Sequence, residues 1–452
     1  MIPLPATSGK TYLILGYGKS GQTAAAALKA SGAAALVWDD NETAQVKAQA
    51  DGFTLADSSI FEARKLDGLV VAPGILPDHP ARLAAHRKKV PVISDLTLLF
   101  QAQPEATFIG VTGTNGKSTT TALIAHILNS AGRKVQMGGN IGIAALSLDP
   151  LGKDGFYVLE MSSYQLDLTR EHSLNVGVLL NITPDHIDHH GSMESYIAAK
   201  AHIAQPTTSQ TLIIGTDEAE SAALFKKFQK KKNLTLLEIS THPEVAHGAR
   251  LDGRKLHLSF DPQPVDLTAC KSLLGAHNVQ NAAAAFLACH ALDLSRREIE
   301  RGMQSFAGLA HRQQLVATLG GVRFVNDSKA TNADAASKAL VCYDTIYWII
   351  GGRPKSGGLG GLENLLATVR HAFIIGEASD DFAAWCKGKI PFACCGTLEV
   401  AVQKAAAMAW HDKIKDACVL LSPACASFDQ FTSFEARGDT FAALVHTLKP
   451  EM

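Results

Sequence analysis

"VTGTNGKSTT", Val111 to Thr120, decides how the chain is read. A phosphate-binding loop usually runs Gly, four residues, then Gly-Lys-Ser/Thr. Counting back from Gly116-Lys117-Ser118 puts the first Gly at position 111, which is Val111, and the nearest candidate, Gly113, is two residues too close. The physical parts of a triphosphate site are nonetheless present. An apolar strand, "ATFIGV", runs into the turn, and a Thr-rich helix closed by Gly132 runs out of it. Helix-start amides would face the phosphates, Lys117 would reach them, and the Ser118 hydroxyl could bind Mg²⁺. The alternative is a plain Gly-rich turn, which Gly-Lys-Ser-Thr-Thr at a strand-to-helix switch disfavours.

Downstream of the loop, "GFYVLEMSS" reads as a buried strand ending at Glu160, where an acidic residue can make a second metal contact. "TPDHIDHH" (183–190) gathers two Asp and three His into eight residues. It reads either as a metal-binding cluster or as a polar loop with surface His. Lys200, in "YIAAKAHIA", reads as a solvated helical Lys on residue type alone. In "GAHNVQN" (275–281), Asn278 is a natural N-cap for the Ala-rich helix that follows, while His277 and Asn281 are less easily explained that way.

Upstream, "GYGKSG" (16–21) follows the strand "TYLILG" and opens the helix "QTAAAALKASG", which ends at a Gly stop. Gly16, Gly18 and Gly21 fit a dinucleotide fingerprint, and Asp39 and Asp40 close the next strand, near the spacing of a ribose-binding carboxylate. "LDGLVVAPG" and "PVISD" read as further parallel strands, up to a polar seam at Gln103-Pro104. Past residue 308, "GVRFVNDSKATN", "TIYWIIGGRPK", "HAFIIGE" and "ACVLLSPACASFDQF" are apolar strands running into small or polar residues. Ligands of open α/β sheets sit at such strand ends.

Composition excludes several classes. Hydrophobic residues make up 46% and charged residues 19%, a core-forming balance. Lys plus Arg is 42 against 43 for Asp plus Glu, a net charge of -1, so nothing points to nucleic acid or an anionic membrane. The 8 Cys all fall after residue 269 without metal or disulfide spacing, which suits a reducing, cytoplasmic setting. No apolar run is long enough for a membrane span and no signal peptide opens the chain, so no membrane insertion is expected. "KKFQKKK" (226–232) reads as a solvated helix end.

Taken in order, "GTNGKST" (113–119), "LEMSSYQL" (159–166), "TPDHIDHH", "GAHNVQN", His311-Arg312, "NDSKATN" (326–332) and "LSPACASFDQFTSFEARGDTF" (421–441) resemble the Mur ligases. The shortened phosphate loop is a trait of that superfamily. The resemblance implies an α/β protein of three domains: a Rossmann-like N-terminal domain (1–104) for a UDP-linked substrate, a central P-loop ATPase-like domain (105–307), and a C-terminal Rossmann-like domain (308–452) for the amino acid. The closing motif implies UDP-N-acetylmuramoyl-L-alanine and D-glutamate as substrates, joined through an acyl phosphate by a cytoplasmic enzyme, with a monomer expected. The implied cofactors are ATP, Mg²⁺ at two sites (with Mn²⁺ able to substitute), and CO₂ for lysine carbamylation.

Carried over residue by residue, Gly113, Thr114, Asn115, Gly116, Lys117, Ser118, Thr119, Asn281, Arg312 and Asp327 would bind ATP. Gly18, Lys19, Ser20, Asp39, Asp40, Gly74 and Asn140 would bind the UDP substrate. Lys329, Thr331, Lys355, Ser427 and Phe434 would surround D-glutamate. Ser118, Glu160, His186 and the carbamylated Lys200 would hold metal, and Lys117, His186 and Lys200 would be the catalytic group. Two departures stand out: Arg353 replaces a commonly acidic residue in "GGRPK", and "APG" (72–74) replaces Ser-Pro-Gly. A nicotinamide dehydrogenase, a non-catalytic ATP-gated binding protein, a sister Mur ligase or a folylpolyglutamate-type ligase are the competing readings; the first leaves the ATP loop unexplained, and the ending argues against the last two.

Overall fold

The computed structural model describes residues 1–169, 172–204, 209–354 and 357–450. The chain forms two compact units, Met1–Ala269 with Asn278–Ser305, and Cys270–His277 with Phe306–Met452. Among the described residues no helix is long and apolar enough to cross a membrane.

The first unit holds two sheets. The smaller has five parallel strands in the order Thr54–Leu55, Ala34–Trp38, Thr11–Leu15, Gly68–Val71, Val92–Ile93. Its central strand buries Tyr12, Leu13, Ile14 and Leu15. The helix Lys19–Ala30 packs Ala24, Ala25, Ala27 and Leu28 inward, all at 0% exposure. Small side chains let helix and sheet approach closely. Gly21 shows how closely: a Cβ there would lie 1.9 Å from the Gly16 carbonyl oxygen. The third glycine of the fingerprint is therefore a packing requirement.

The larger sheet has nine strands, and Thr107–Thr112 lies between Gly155–Glu160 and Leu174–Leu179. Lys134–Gly139 forms one edge. Gln210–Gly215, Leu234–Ser240 and Gly248–Asp252 continue the sheet in parallel on the other side. That side ends in the antiparallel strands Lys255–Leu258 and Asp261–Asp266. One continuous apolar core joins the two sheets of this unit, running from Tyr12 and Leu28 through Leu99, Phe108 and Tyr157 to Leu212. The connecting helix Asp95–Ala102 is capped by Ser94, whose hydroxyl also meets Thr169 at 2.6 Å.

The second unit is a six-stranded sheet in the order Gln314–Leu319, Val322–Asn326, Cys418–Leu421, Ile346–Gly351, Val369–Ile375, Phe392–Gly396. Only the first pair is antiparallel. Ile346–Gly351 is buried throughout, with Trp348 and Ile350 in one core and Tyr347 and Ile349 in the other. A strand covered on both faces needs no polar alternation, which is why it reads as one apolar run.

Candidate active site

The phosphate loop leaves the C-terminal end of Thr107–Thr112 and enters the helix Lys117–Ser130. Gly116 caps that helix at φ 85° and supplies no capping side chain. The first amides are thus left for an anion. Asn181, just past the strand Leu174–Leu179, and Tyr196, on the helix Met193–Ala201, fix the loop. Thr114 N–H donates to the Asn181 carbonyl at 3.0 Å, and Asn115 N–H to Asn181 Oδ1 at 2.8 Å. Thr114 Oγ1 lies 3.0 Å from the Tyr196 hydroxyl. Lys117 folds back, its Nζ donating to the carbonyls of Gly113 (2.9 Å) and Thr114 (2.8 Å). Ser118 and Thr119 are buried at the start of the helix.

Asn281 closes the loop from the far side. A Cβ on Gly116 would meet Asn281 Oδ1 at 2.3 Å and Leu180 Cδ1 at 3.0 Å. Gly116→Ala should therefore fail twice, by the left-handed backbone, about 1–2 kcal/mol, and by the clash. An ATP dissociation constant raised by about tenfold or more is expected, since ~1.4 kcal/mol is tenfold. Calorimetry showing unchanged ATP affinity would remove Gly116 from the site.

Asn278 is not the helix cap expected from sequence. The helix begins at Ala276, so Asn278 lies within it, buried, and accepts from Asn281 Nδ2 at 3.0 Å. The cap reading failed because the helix starts three residues earlier than a cap at Asn278 implies, directly after Gly275. His277 is partly buried, and burial first, then Lys338 and Arg312, pushes its pKa down to about 4.

Glu160 ends the strand beside the loop, in register with Val111. Its Oε1 accepts from Asn140 Nδ2 at 2.7 Å, while its buried Oε2 has no protein partner. An orphaned carboxylate oxygen beside a phosphate loop fits a divalent cation.

Lys200 overturns the solvated reading. On the helix Met193–Ala201 it is 1% exposed, its Nζ donating to the Gly113 carbonyl at 2.8 Å and lying 4.8 Å from the Tyr196 ring centre. Burial first, then the Lys117 charge, pulls its pKa well below the ordinary lysine value. His186 stands at φ 54° before the short helix Ile187–His190, exposed and 3.4 Å from Asp185. Its ring lies 5.0 Å from Tyr164 and 6.5 Å from Tyr196. Tyr196 thus links Thr114, His186 and Lys200. The rest of "TPDHIDHH" does not form a metal cluster: among the described residues no three His, Cys, Asp or Glu side chains converge on one. The His189 ring lies against Tyr164, tilted at 42° with centres 4.0 Å apart, and His190 Nε2 meets Ser163 Oγ at 2.9 Å.

On the smaller sheet, Gly18 caps the helix Lys19–Ala30, with open space where a side chain would be, and Gly74 is equally open. Lys19 Nζ donates to the Gly142 carbonyl, which ties this loop to the segment that follows Asn140. Ser20 is half-buried at the start of the helix. Asp39 and Asp40 behave differently. Asp39 accepts from the Tyr17 amide at 2.5 Å and the Asn41 amide at 2.8 Å, so it holds the Gly-rich loop in shape. Asp40 is exposed, its oxygens meeting Trp38 Nε1 and His79 Nε2, each at 3.1 Å.

In the second unit, Asp327 and Ser422 follow adjacent parallel strands, and Ser422 Oγ donates to Asp327 Oδ2 at 2.8 Å. The Gln313 amide donates to Asp327 Oδ1 at 3.1 Å. Burial raises the Asp327 pKa to about 7, against the opposing pull of Ser422, the Gln313 amide and Arg312. Its folded value thus exceeds the ordinary 3.8. The folded state keeps a proton that the unfolded chain has released, so this contribution is full below about pH 4 and is lost as pH rises towards 7. Asp327→Asn should flatten that slope, gaining up to a few kcal/mol over the parent at pH 8. Thermal midpoints that stay parallel from pH 5 to 8 would contradict it.

Lys329 Nζ lies 5.2 Å from the Phe434 ring centre, and Phe434 opens the helix Phe434–Thr447. Thr331 lies between Lys329 and the helix cap Asn332, and Ser427 is 2% exposed. Lys355 lies outside the described residues. Arg353, the departure beside it, pairs with Glu377 through two hydrogen bonds of 3.0 and 3.1 Å. Arg437 carries no role in the sequence reading, yet it is 1% exposed and holds the closing motif together. Its guanidinium donates to Ser328 Oγ and to the carbonyls of Ser328, Cys425 and Ala426. Only its place inside "FEARGDTF" hinted at it.

Residues 111–289 match the Mur ligase middle domain. The UDP-N-acetylmuramoylalanine–D-glutamate ligase of Paramagnetospirillum magneticum is 46% identical over 98% of both chains. That of Rhodospirillum rubrum is 47% identical over 99% of this chain and 97% of its own. The chain belongs to the Mur ligase family, in its UDP-N-acetylmuramoylalanine–D-glutamate ligase branch. Solved Mur ligases share the fold at low identity. The UDP-N-acetylmuramate–alanine ligase of Thermotoga maritima gives a TM-score of 0.57 at 15% identity, covering 97% of this chain and 99% of its own. MurF of Acinetobacter baumannii gives 0.58 at 18%, covering 97% and 91%. This Mur ligase carries three sheets, in keeping with the α/β fold of three domains expected from its sequence.

Proposed function

We propose that this Mur ligase adds D-glutamate to the alanyl carboxylate of UDP-N-acetylmuramoyl-L-alanine, with ATP supplying the leaving group. A carboxylate is a poor electrophile for an amine. Its oxygen attacks the γ-phosphoryl of ATP, releasing ADP and forming an acyl phosphate. The amine of D-glutamate then adds to the acyl carbon, and the tetrahedral adduct expels phosphate. The first step brings two anions together, so fixed positive charge and oriented amides carry most of the catalysis. Lys117 and the amides after Gly116 face that charge. Asn281, Arg312 and Asp327 are assigned to the nucleotide. Lys329, Thr331, Lys355, Ser427 and Phe434 are assigned to the amino acid, and Gly18, Lys19, Ser20, Asp40, Gly74 and Asn140 to the UDP substrate.

Ser118, Glu160, His186 and Lys200 would hold Mg²⁺, which supplies Lewis-acid neutralisation of the phosphates. Burial and the Lys117 charge favour the neutral amine of Lys200, whose lone pair can add to CO₂ with release of one proton. The carbamate so formed would be an anionic oxygen ligand in place of an amine. Residues 1–104, 105–307 and 308–452 are assigned to the UDP substrate, ATP and the amino acid. A cytoplasmic monomer belongs to the same proposal.

The observation that carries the reading is the pair Lys117 and Lys200, both donating to the Gly113 carbonyl. One lysine is assigned to phosphate, and the other is stripped of solvent beside it. Hydroxylamine trapping tests the acyl phosphate. With ATP and UDP-N-acetylmuramoyl-L-alanine but no D-glutamate, a hydroxamate of the acceptor should accumulate with ADP; its absence would sink the intermediate.

A further inference from the structure

Strands Ala34–Trp38 and Gly68–Val71 flank Thr11–Leu15 in parallel. The segments leaving their C-terminal ends therefore stand on either side of the Gly16–Gly18 turn. One carries Asp39 and Asp40, the other runs from Ala72 to His79. His79 spans the gap. Its ring is 10% exposed and packs edge-on against Trp38, with centres 5.4 Å apart at 72°. Its Nδ1 accepts from the Ala81 amide at 3.1 Å, which caps the helix Pro80–Arg87. That bond places the proton of the neutral ring on Nε2. Nε2–H in turn donates to Asp40 Oδ2 at 3.1 Å, while Trp38 Nε1–H donates to Oδ1 at the same distance. Asp40 is otherwise open, 71% exposed. A cleft of about 400 Å³ adjoins it, lined by Trp38, Asp39, Asp40, Gln45, Asp57 and Ser58.

We infer that His79 is a positioning residue for the nucleotide end of the acceptor substrate, fixing Asp40 and Trp38 as one wall of this cleft. The inference rests on the assignment of the Gly16–Gly21 loop to the UDP substrate. A carboxylate offers about four acceptor positions. Two are used by Trp38 and His79, and the others face solvent. They suit hydrogen-bond donors, a ribose hydroxyl or a ring N–H, beside a flat aromatic surface. Asp39 is not equivalent: it is less exposed, and its oxygens accept from the Tyr17 amide of the Gly-rich turn and the Asn41 amide of its own loop. Without His79, Asp40 would have to be ordered at each binding event, which weakens binding.

His79 is also a helix cap, and two variants separate the roles. His79→Asn keeps an acceptor for the Ala81 amide, Asn being a preferred cap, but is too short for Asp40. His79→Gln reaches towards Asp40 and gives up the cap. Titrating UDP into each full-length protein, His79→Asn should keep the parental thermal midpoint and bind UDP about three- to tenfold more weakly. KM for UDP-N-acetylmuramoyl-L-alanine should rise by the same factor at constant kcat, and His79→Gln should recover most of the affinity. Parental UDP affinity in His79→Asn would overturn the inference and leave a cap alone. Failure of the parent itself to bind UDP would overturn the assignment of the loop, and the inference with it.

Discussion

Lys117→Ala should lower ADP release by on the order of 10²–10³-fold, the usual loss when one preorganised charge is removed from a developing anion. The side chain is well placed for this, since two carbonyls of its own loop hold its ammonium at 2.9 and 2.8 Å. Losing those bonds costs about 1 kcal/mol each, a small change in thermal midpoint beside the catalytic loss. UDP affinity should not move, because the Gly18–Ser20 loop lies on a different sheet. Equal losses in ADP release and UDP affinity would contradict this division of labour.

Lys200→Met should separate stability from activity in the opposite direction. Lys200 is almost wholly buried, without a carboxylate within salt-bridge distance among the described residues, and desolvation disfavours its charged form. Met fills similar volume without a buried amine, and such swaps are often neutral or stabilising. The thermal midpoint should hold or rise, with the lost bond to the Gly113 carbonyl offsetting about 1 kcal/mol. Turnover should fall by on the order of 10²-fold or more, because the proposed metal site would lose its carbamate ligand. Intact mass in bicarbonate should show one added CO₂ on the parent and none on Lys200→Met. A variant that turns over normally would make Lys200 a structural residue.

The sequence made the phosphate loop legible because its chemistry is local. Gly116, Lys117 and Ser118 are neighbours in the chain, and their strand-to-helix setting shows in hydrophobic pattern alone. The main parallel strands were legible for the same reason. What depends on distant partners was not. Lys200 looks solvated until Tyr196 and Gly113 close around it. Asn278 looks like a cap until the helix is seen to begin at Ala276. Asp39 and Asp40 look alike in sequence, yet one props the backbone and the other faces outward. His79 and Arg437 gain their meaning from contacts 39 and 109 residues away. The antiparallel strands Lys255–Leu258 and Asp261–Asp266 were passed over because short edge strands carry little apolar signal.

The most direct test is ADP release with ATP, Mg²⁺ and UDP-N-acetylmuramoyl-L-alanine while the amino acid is varied. Sustained release should require D-glutamate and should stop when it is replaced by L-glutamate, L-alanine or a diamino acid. Sustained release with another amino acid in place of D-glutamate, or with none, would contradict the account.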